Sequence, residues 1–243
     1  MALKSIFSQR IEVQIVRPHE TIMKFKPLGA IVIAAAVAFV GVGYTMGVGP
    51  FEPELELSHE RFYGIKAEIR RTPDPVIVLG DSIVQGAPLP KWICGHAVVN
   101  AGVVGAAVGY FERHAAELLG SSSPRLIVLA VGINDASPIV GRQFRSRYQK
   151  TVASLSRAAP VAVATITPVR SGDASAVYDA SFVPGFNDAI RATPNVKAVI
   201  DLNEPLSGAN LTTDGIHLGA EGYALWTKAM VEGVSDALGC TKS

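Results

Sequence analysis

Five short apolar runs, at 75–79, 97–99, 126–131, 161–166 and 197–201, constrain this chain more than any other feature. They are rich in Val and Ile and bounded by Gly, Pro, Asn or Asp. A strand with one wet face alternates apolar and polar residues, whereas a strand covered on both faces reads as a continuous apolar run. Between the runs lie stretches with helical spacing, "AVGYFERHAAELLG" (107–120) and "RQFRSRYQKTVASLSRAA" (142–159), and "GAEGYALWTKAMVEGVSDALG" (219–239) closes the chain. Such alternation predicts an α/β domain whose parallel sheet carries helices on both faces. "SHERFYGIKAEIRR" (58–71) reads as the amphipathic helix that starts this domain, with Ser58 at its N-cap and Arg70 and Arg71 suited to its C-terminal end.

A different pattern precedes it. From Leu28 to Val48 no residue is charged, about 30 Å of helix and enough to cross a bilayer. The 26 residues before Pro27 exceed a signal-peptide leader, and no small-residue cleavage site stands at the far end. Residues 28–48 therefore read as an uncleaved transmembrane signal anchor, 1–27 as a cytoplasmic leader, 49–57 as a tether and 58–243 as the globular domain. Lys24 and Lys26 stand on the leader side, and Glu52, Glu54 and Glu56 open the other. Retention of basic residues in the cytoplasm puts the domain outside, periplasmic or external. Ala30, Ala34 and Ala38, then Gly43 and Gly47, are spaced four apart and would let two such helices approach closely, though small residues are common in spans and leave the oligomeric state open. The formal net charge is only +1, with no basic stripe interleaved with aromatics, so nucleic acid is not the partner.

In an open parallel sheet, ligands bind beyond the carboxyl ends of the strands. The first run delivers Gly80-Asp81-Ser82, the second "NAGVVG" (100–105) and the third "GINDA" (132–136), while "TTDGIHLG" (212–219) precedes the closing helix. Each alone is ordinary turn chemistry. Together they bring a hydroxyl, an imidazole, a carboxylate, an amide and Gly-flanked backbone N–H groups to one rim, the parts needed for acyl transfer. A serine hydroxyl needs an imidazole to take its proton, and the imidazole needs a partner that holds its tautomer. Asp214, three residues before His217 and next to a glycine, can turn back to do so.

"GDSIVQG", "NAGVVG", "GINDA" and "DGIHL" resemble, in order, the sequence blocks of the SGNH hydrolases, also called the GDSL esterase/lipase family. The resemblance runs from Val76 to about Tyr223. It implies a flavodoxin-like three-layer α/β/α domain with a five-stranded parallel sheet. Ser82 is then the nucleophile, His217 the general base and Asp214 its orienting carboxylate. The oxyanion-hole donors carried over are the backbone N–H groups of Ser82 and Gly105 and the side-chain amide of Asn134. Ile83 replaces the family's Leu, an apolar exchange. Ala106, Ala107 and Val108 follow Gly105 where relatives often carry polar residues, so substrate contacts on that loop do not transfer. No cofactor and no metal are implied. The absence of a Gly-x-Ser-x-Gly elbow separates the chain from the α/β-hydrolases.

Asp81 reads as a helix cap and Asp135 as a loop anchor, not as further acids. His19, His59, His96 and His114 share no spacing, and no His, Cys or carboxylate pair has metal-site spacing. Cys94 and Cys240 are the only cysteines. In the implied fold both lie towards the base of the sheet, away from the rim, and an oxidising compartment permits a bridge between them. Two free thiols are the other reading, because sequence does not give the Cα separation. The expected function is a membrane-anchored extracytoplasmic esterase working through an acyl-enzyme, with short-chain or O-acetyl esters of envelope glycans or lipids as candidate substrates. Transfer of the acyl group to another alcohol, lysophospholipase or thioesterase action, and a non-catalytic anchored binding domain are the alternatives.

Overall fold

The computed structural model describes residues 56–170, 172, 177–208 and 211–240. The expected leader, the span at 28–48 and most of the tether lie outside the described residues. Among the described residues no helix is long and apolar enough to cross a membrane.

Helix α1 (Glu56–Arg71) opens the fold. It begins two residues inside the stretch read as tether, so Ser58 lies in its first turn and not at its N-cap. Phe62, Ile65 and Ile69 form its buried stripe. Strand β1 (Val76–Gly80) follows, then a one-turn helix α2 (Ser82–Gly86), strands β2 (Trp92–Ile93) and β3 (His96–Gly102), and helix α3 (Val108–Leu119). Strand β4 (Leu126–Ala130) leads through 3-10 turns to α4 (Phe144–Leu155), β5 (Val161–Ala164), α5 (Phe182–Arg191), β6 (Ala198–Ile200) and the closing helix α6 (Ala220–Leu238).

The sheet order is β2-β3-β1-β4-β5-β6. Five strands are parallel, as expected, but among the described residues the sheet has six: β2 pairs antiparallel with β3. That hairpin turns at Cys94 and Gly95, with φ of 53° and 79°, the double left-handed geometry of a tight hairpin loop. A two-residue strand is too short to leave a periodic signal. All of β1 and β5 is buried, which is why those runs carry no polar alternation. Helices α1, α3, α4 and α5 pack one against the next, while α6 reaches both β6 and β2 and covers the sheet through Trp226, Met230 and Val234. The result is a three-layer α/β/α domain.

Register positions the chemistry. Gly80, the last residue of β1, is level with Gly102 of β3 and Ala130 of β4. Three consecutive loops therefore leave the sheet at one height and one rim.

Candidate active site

The first loop is a strand-to-helix turn with almost no room. A Cβ on Gly80 would stand 2.1 Å from Val84 Cγ2 and 2.7 Å from the Ala130 carbonyl oxygen, so only glycine lets the strand fold back here. Asp81 then caps α2, its Oδ1 accepting the Ile83 N–H at 2.9 Å. Burial pushes the Asp81 carboxyl up to about 6, against the opposing pull of the Ile83 N–H and of the nearby His217. Ser82 is the first residue of α2. Its backbone N–H is one of those a helix leaves without an internal partner, and its side chain is only partly covered.

The loop before α6 is closed on itself. Thr212 bridges Leu218, and the Thr213 N–H donates to the His217 carbonyl at 2.8 Å. Gly215 turns the chain at φ +96°. Asp214 and His217 are thereby held face to face, with Asp214 Oδ2 2.6 Å from His217 Nδ1. On the other side of the ring, His217 Nε2 lies 2.9 Å from Ser82 Oγ. Burial works against the charge on Asp214. Hydrogen bonds from the His217 ring and from the His217 and Ile216 backbone N–H groups outweigh it and hold the carboxyl down at about 2. An ionised Asp214 keeps the ring proton on Nδ1, leaving Nε2 free to accept from the serine. The His217 side chain remains 44% exposed, so the three groups sit at an open rim, not at the end of a tunnel.

The second and third loops are joined to each other. Ala106 N–H donates to the Val103 carbonyl at 3.0 Å, closing a turn in which Gly105 takes φ +73°. Nothing stands near where its Cβ would be, so the backbone conformation alone requires glycine. Asn134, in the 3-10 turn Ile133–Asp135, donates from Nδ2 to the Ala106 carbonyl at 3.0 Å. The fully buried Asp135 accepts the Val108 N–H on Oδ2 at 2.9 Å and so satisfies the first N–H of α3. Asp135 is thus a loop anchor that fastens the Gly105 loop to the Asn134 turn.

The sequence profile of the GDSL-like lipase/acylhydrolase family matches residues 78–225, which contain Ser82, Gly105, Asn134, Asp214 and His217. The chain belongs to that family. No curated protein matches it significantly. Among solved structures, a member of the lipolytic G-D-S-L family from Veillonella parvula is 23% identical, with a TM-score of 0.54 over 65% of this chain and 96% of its own. A lipase/acylhydrolase from Enterococcus faecalis is 21% identical, with a TM-score of 0.56 over 70% and 99%. An acetylxylan esterase from Geobacillus stearothermophilus is 13% identical, with a TM-score of 0.55 over 70% and 96%. At these identities the likeness is one of fold.

Several residues of this GDSL-like acylhydrolase support the rim without having stood out in the sequence. Asn100 donates from Nδ2 to the Val84 carbonyl at 2.7 Å, and its Oδ1 accepts the Gly102 N–H at 3.0 Å. Arg61 of α1 reaches the same place, donating to the carbonyls of Gly102 at 3.0 Å and Asn100 at 2.6 Å. Tyr178 touches Asn134. Asn100 was visible as the first residue of "NAGVVG"; Arg61 and Tyr178 had no motif to mark them. Cys94 and Cys240 are joined at the opposite end of the sheet, with Cα atoms 6.2 Å apart. The acylhydrolase is an ester-hydrolysing serine hydrolase.

Proposed function

We propose that this acylhydrolase is a membrane-anchored extracytoplasmic esterase that removes short acyl groups through a Ser82–His217–Asp214 triad. The observation that carries the reading is the unbroken relay from Ser82 Oγ to His217 Nε2, at 2.9 Å, and from Nδ1 to Asp214, at 2.6 Å. As Ser82 Oγ attacks the ester carbonyl, His217 Nε2 takes its proton. The carbonyl oxygen becomes an oxyanion that accepts hydrogen bonds from Ser82 N–H, Gly105 N–H and the Asn134 amide. Collapse breaks the bond to the alcohol, which leaves with the proton from His217. Water then repeats the sequence on acyl-Ser82, His217 taking its proton, and the acid departs.

Anchoring rests on the uncharged stretch from Leu28 to Val48 and the basic residues on its leader side. The open rim supports a small acyl group carried on a bulky alcohol, such as an O-acetylated envelope glycan. Acetylxylan esterases among the fold relatives agree with that choice. The test is a panel of p-nitrophenyl esters of increasing acyl length together with acetylated xylan, run on the full-length chain with Ser82→Ala as the blank. Acetate turned over fastest, and only with Ser82, is the expected result; a preference for long acyl chains would overturn the short-acyl reading. Anchoring is tested separately, because carbonate should fail to extract the protein from membranes.

A further inference from the structure

We propose that Tyr178 is a positioning residue for the oxyanion hole, its hydroxyl locking the Asn134 side chain so that one amide N–H stays directed at the oxyanion. The proposal rests on the reading of Asn134 as an oxyanion donor. Asn134 is held at two points. Its Nδ2 is 3.0 Å from the Ala106 carbonyl oxygen and its Oδ1 is 2.8 Å from Tyr178 Oη. A backbone carbonyl can only accept, so the amide nitrogen must face Ala106 and the amide oxygen must face the phenol. The amide oxygen can likewise only accept, and Tyr178 is therefore the donor. Of the two amide N–H groups, one is taken by Ala106 and the second is left for a ligand.

With Tyr178 in place, rotation of the amide about its last side-chain bond would break two hydrogen bonds at once. Without it, a single bond to Ala106 remains. Donation to Oδ1 also draws electron density away from the amide nitrogen and strengthens the N–H that faces the ligand.

Tyr178 is itself fixed from outside the rim. The next residue, Asp179, donates its N–H to the Ala136 carbonyl at 2.9 Å, two residues beyond Asn134, and its Oδ1 accepts the Ser181 N–H at 3.0 Å. Phe182 N–H then returns to the Asp179 carbonyl at 3.1 Å as α5 begins. The phenol remains a donor over the working range of a serine esterase, since burial first, and then the charges of Asp81 and Asp214, push its ionisation above the ordinary tyrosine value.

The test is a double-mutant cycle on the full-length chain, with p-nitrophenyl acetate as substrate. Tyr178→Phe keeps the ring and removes only the hydroxyl. It should lower kcat about tenfold at unchanged KM, since a positioned donor is expected to act on the transition state more than on the bound ester. In an Asn134→Ala background the same change should have no further effect, because the group it positions is gone. Affinity for a trifluoromethyl ketone, which places an oxyanion in the same hole, should fall by the factor seen in kcat, while fluorophosphonate still labels Ser82. Tyr178→Phe with kcat within about twofold of wild type, or with the same loss in both backgrounds, overturns the proposal. If Asn134→Ala alone turns over normally, the oxyanion reading fails and the proposal with it, and that single variant separates the two failures.

Discussion

Asp214 holds His217 at two points: its Oδ2 lies 2.6 Å from the ring Nδ1, and its Oδ1 accepts the backbone N–H of the same residue at 2.8 Å. One carboxylate thus sets both the tautomer of the imidazole and the path of the chain that carries it. Asp214→Asn would put an N–H against Nδ1 and drive the ring proton to Nε2, where it meets the serine instead of accepting from it. The expected loss in kcat on a short-chain ester is about 10³- to 10⁴-fold with the fold intact by circular dichroism. Ser82→Ala and His217→Ala should each fall to background, and the pair together no further, because they act as a unit. A folded His217→Ala with near-wild-type turnover would refute the triad.

The pKa of Asp81 is shifted in the opposite direction to that of Asp214. Its folded value of about 6 lies above the ordinary carboxylate value of 3.8, so the folded state holds a proton that the unfolded state releases. The stability this contributes is fully present below about 4 and is lost as pH rises through about 6. Urea unfolding of wild type and Asp81→Asn across that window should therefore diverge, wild type losing up to ~1.4 kcal/mol per pH unit relative to the variant. The slope is what is read, because the two proteins differ by a constant offset as well. Parallel lines between pH 4 and 6 would mean that Asp81 is already ionised.

Arg61 joins the first helix to the end of β3 through the Gly102 and Asn100 carbonyls. Burial lowers its pKa, with the charge of Glu68 opposing, but the guanidinium still brings a fork of donors to adjacent acceptors. Arg61→Ala should cost about 1–3 kcal/mol in urea unfolding, the typical penalty for leaving partly buried acceptors unpaired. Arg61→Lys should recover little, since one ammonium cannot span the same acceptors. Equal stability of wild type and Arg61→Ala would show that these hydrogen bonds add nothing net and that α1 is held by Phe62, Ile65 and Ile69.

The bridge between Cys94 and Cys240 closes 146 residues of separation, yet lies at the far end of the sheet from Ser82. Replacing both cysteines by serine should lower stability by roughly 2–5 kcal/mol while leaving kcat at 25 °C unchanged. Protein isolated from its native host should show no alkylatable thiol under denaturing conditions; two labelled cysteines would rule the bridge out there.

Much of this was legible in the sequence, for physical reasons. Val76–Gly80 and Leu126–Ala130 read as strands because burial on both faces removes every polar residue from the run. Ser82, Asn134, Asp214 and His217 read as a site because their blocks, each ordinary turn chemistry alone, together bring a hydroxyl, an amide, a carboxylate and an imidazole to one rim and resemble, in order, those of the GDSL family. Helix α5 did not read as one. "FVPGFNDAIR" carries Pro184 and Gly185, which look like a turn, yet proline in the first turn of a helix loses no internal hydrogen bond. Arg61 and Tyr178 were invisible because their partners lie 39 to 44 residues away, and no local pattern encodes such a contact.

The strand order has a consequence for a chain made from its N-terminus. β1 comes first and occupies an inner position, β3 docks on one side of it and β4 on the other, and β5 and β6 each extend the growing edge. No strand has to insert between two that are already paired, so the sheet can be laid down as the chain emerges. The serine arrives with the first strand, and its imidazole arrives 135 residues later. On the triad proposed above, a nascent chain therefore displays its hydroxyl long before the histidine that activates it has been made.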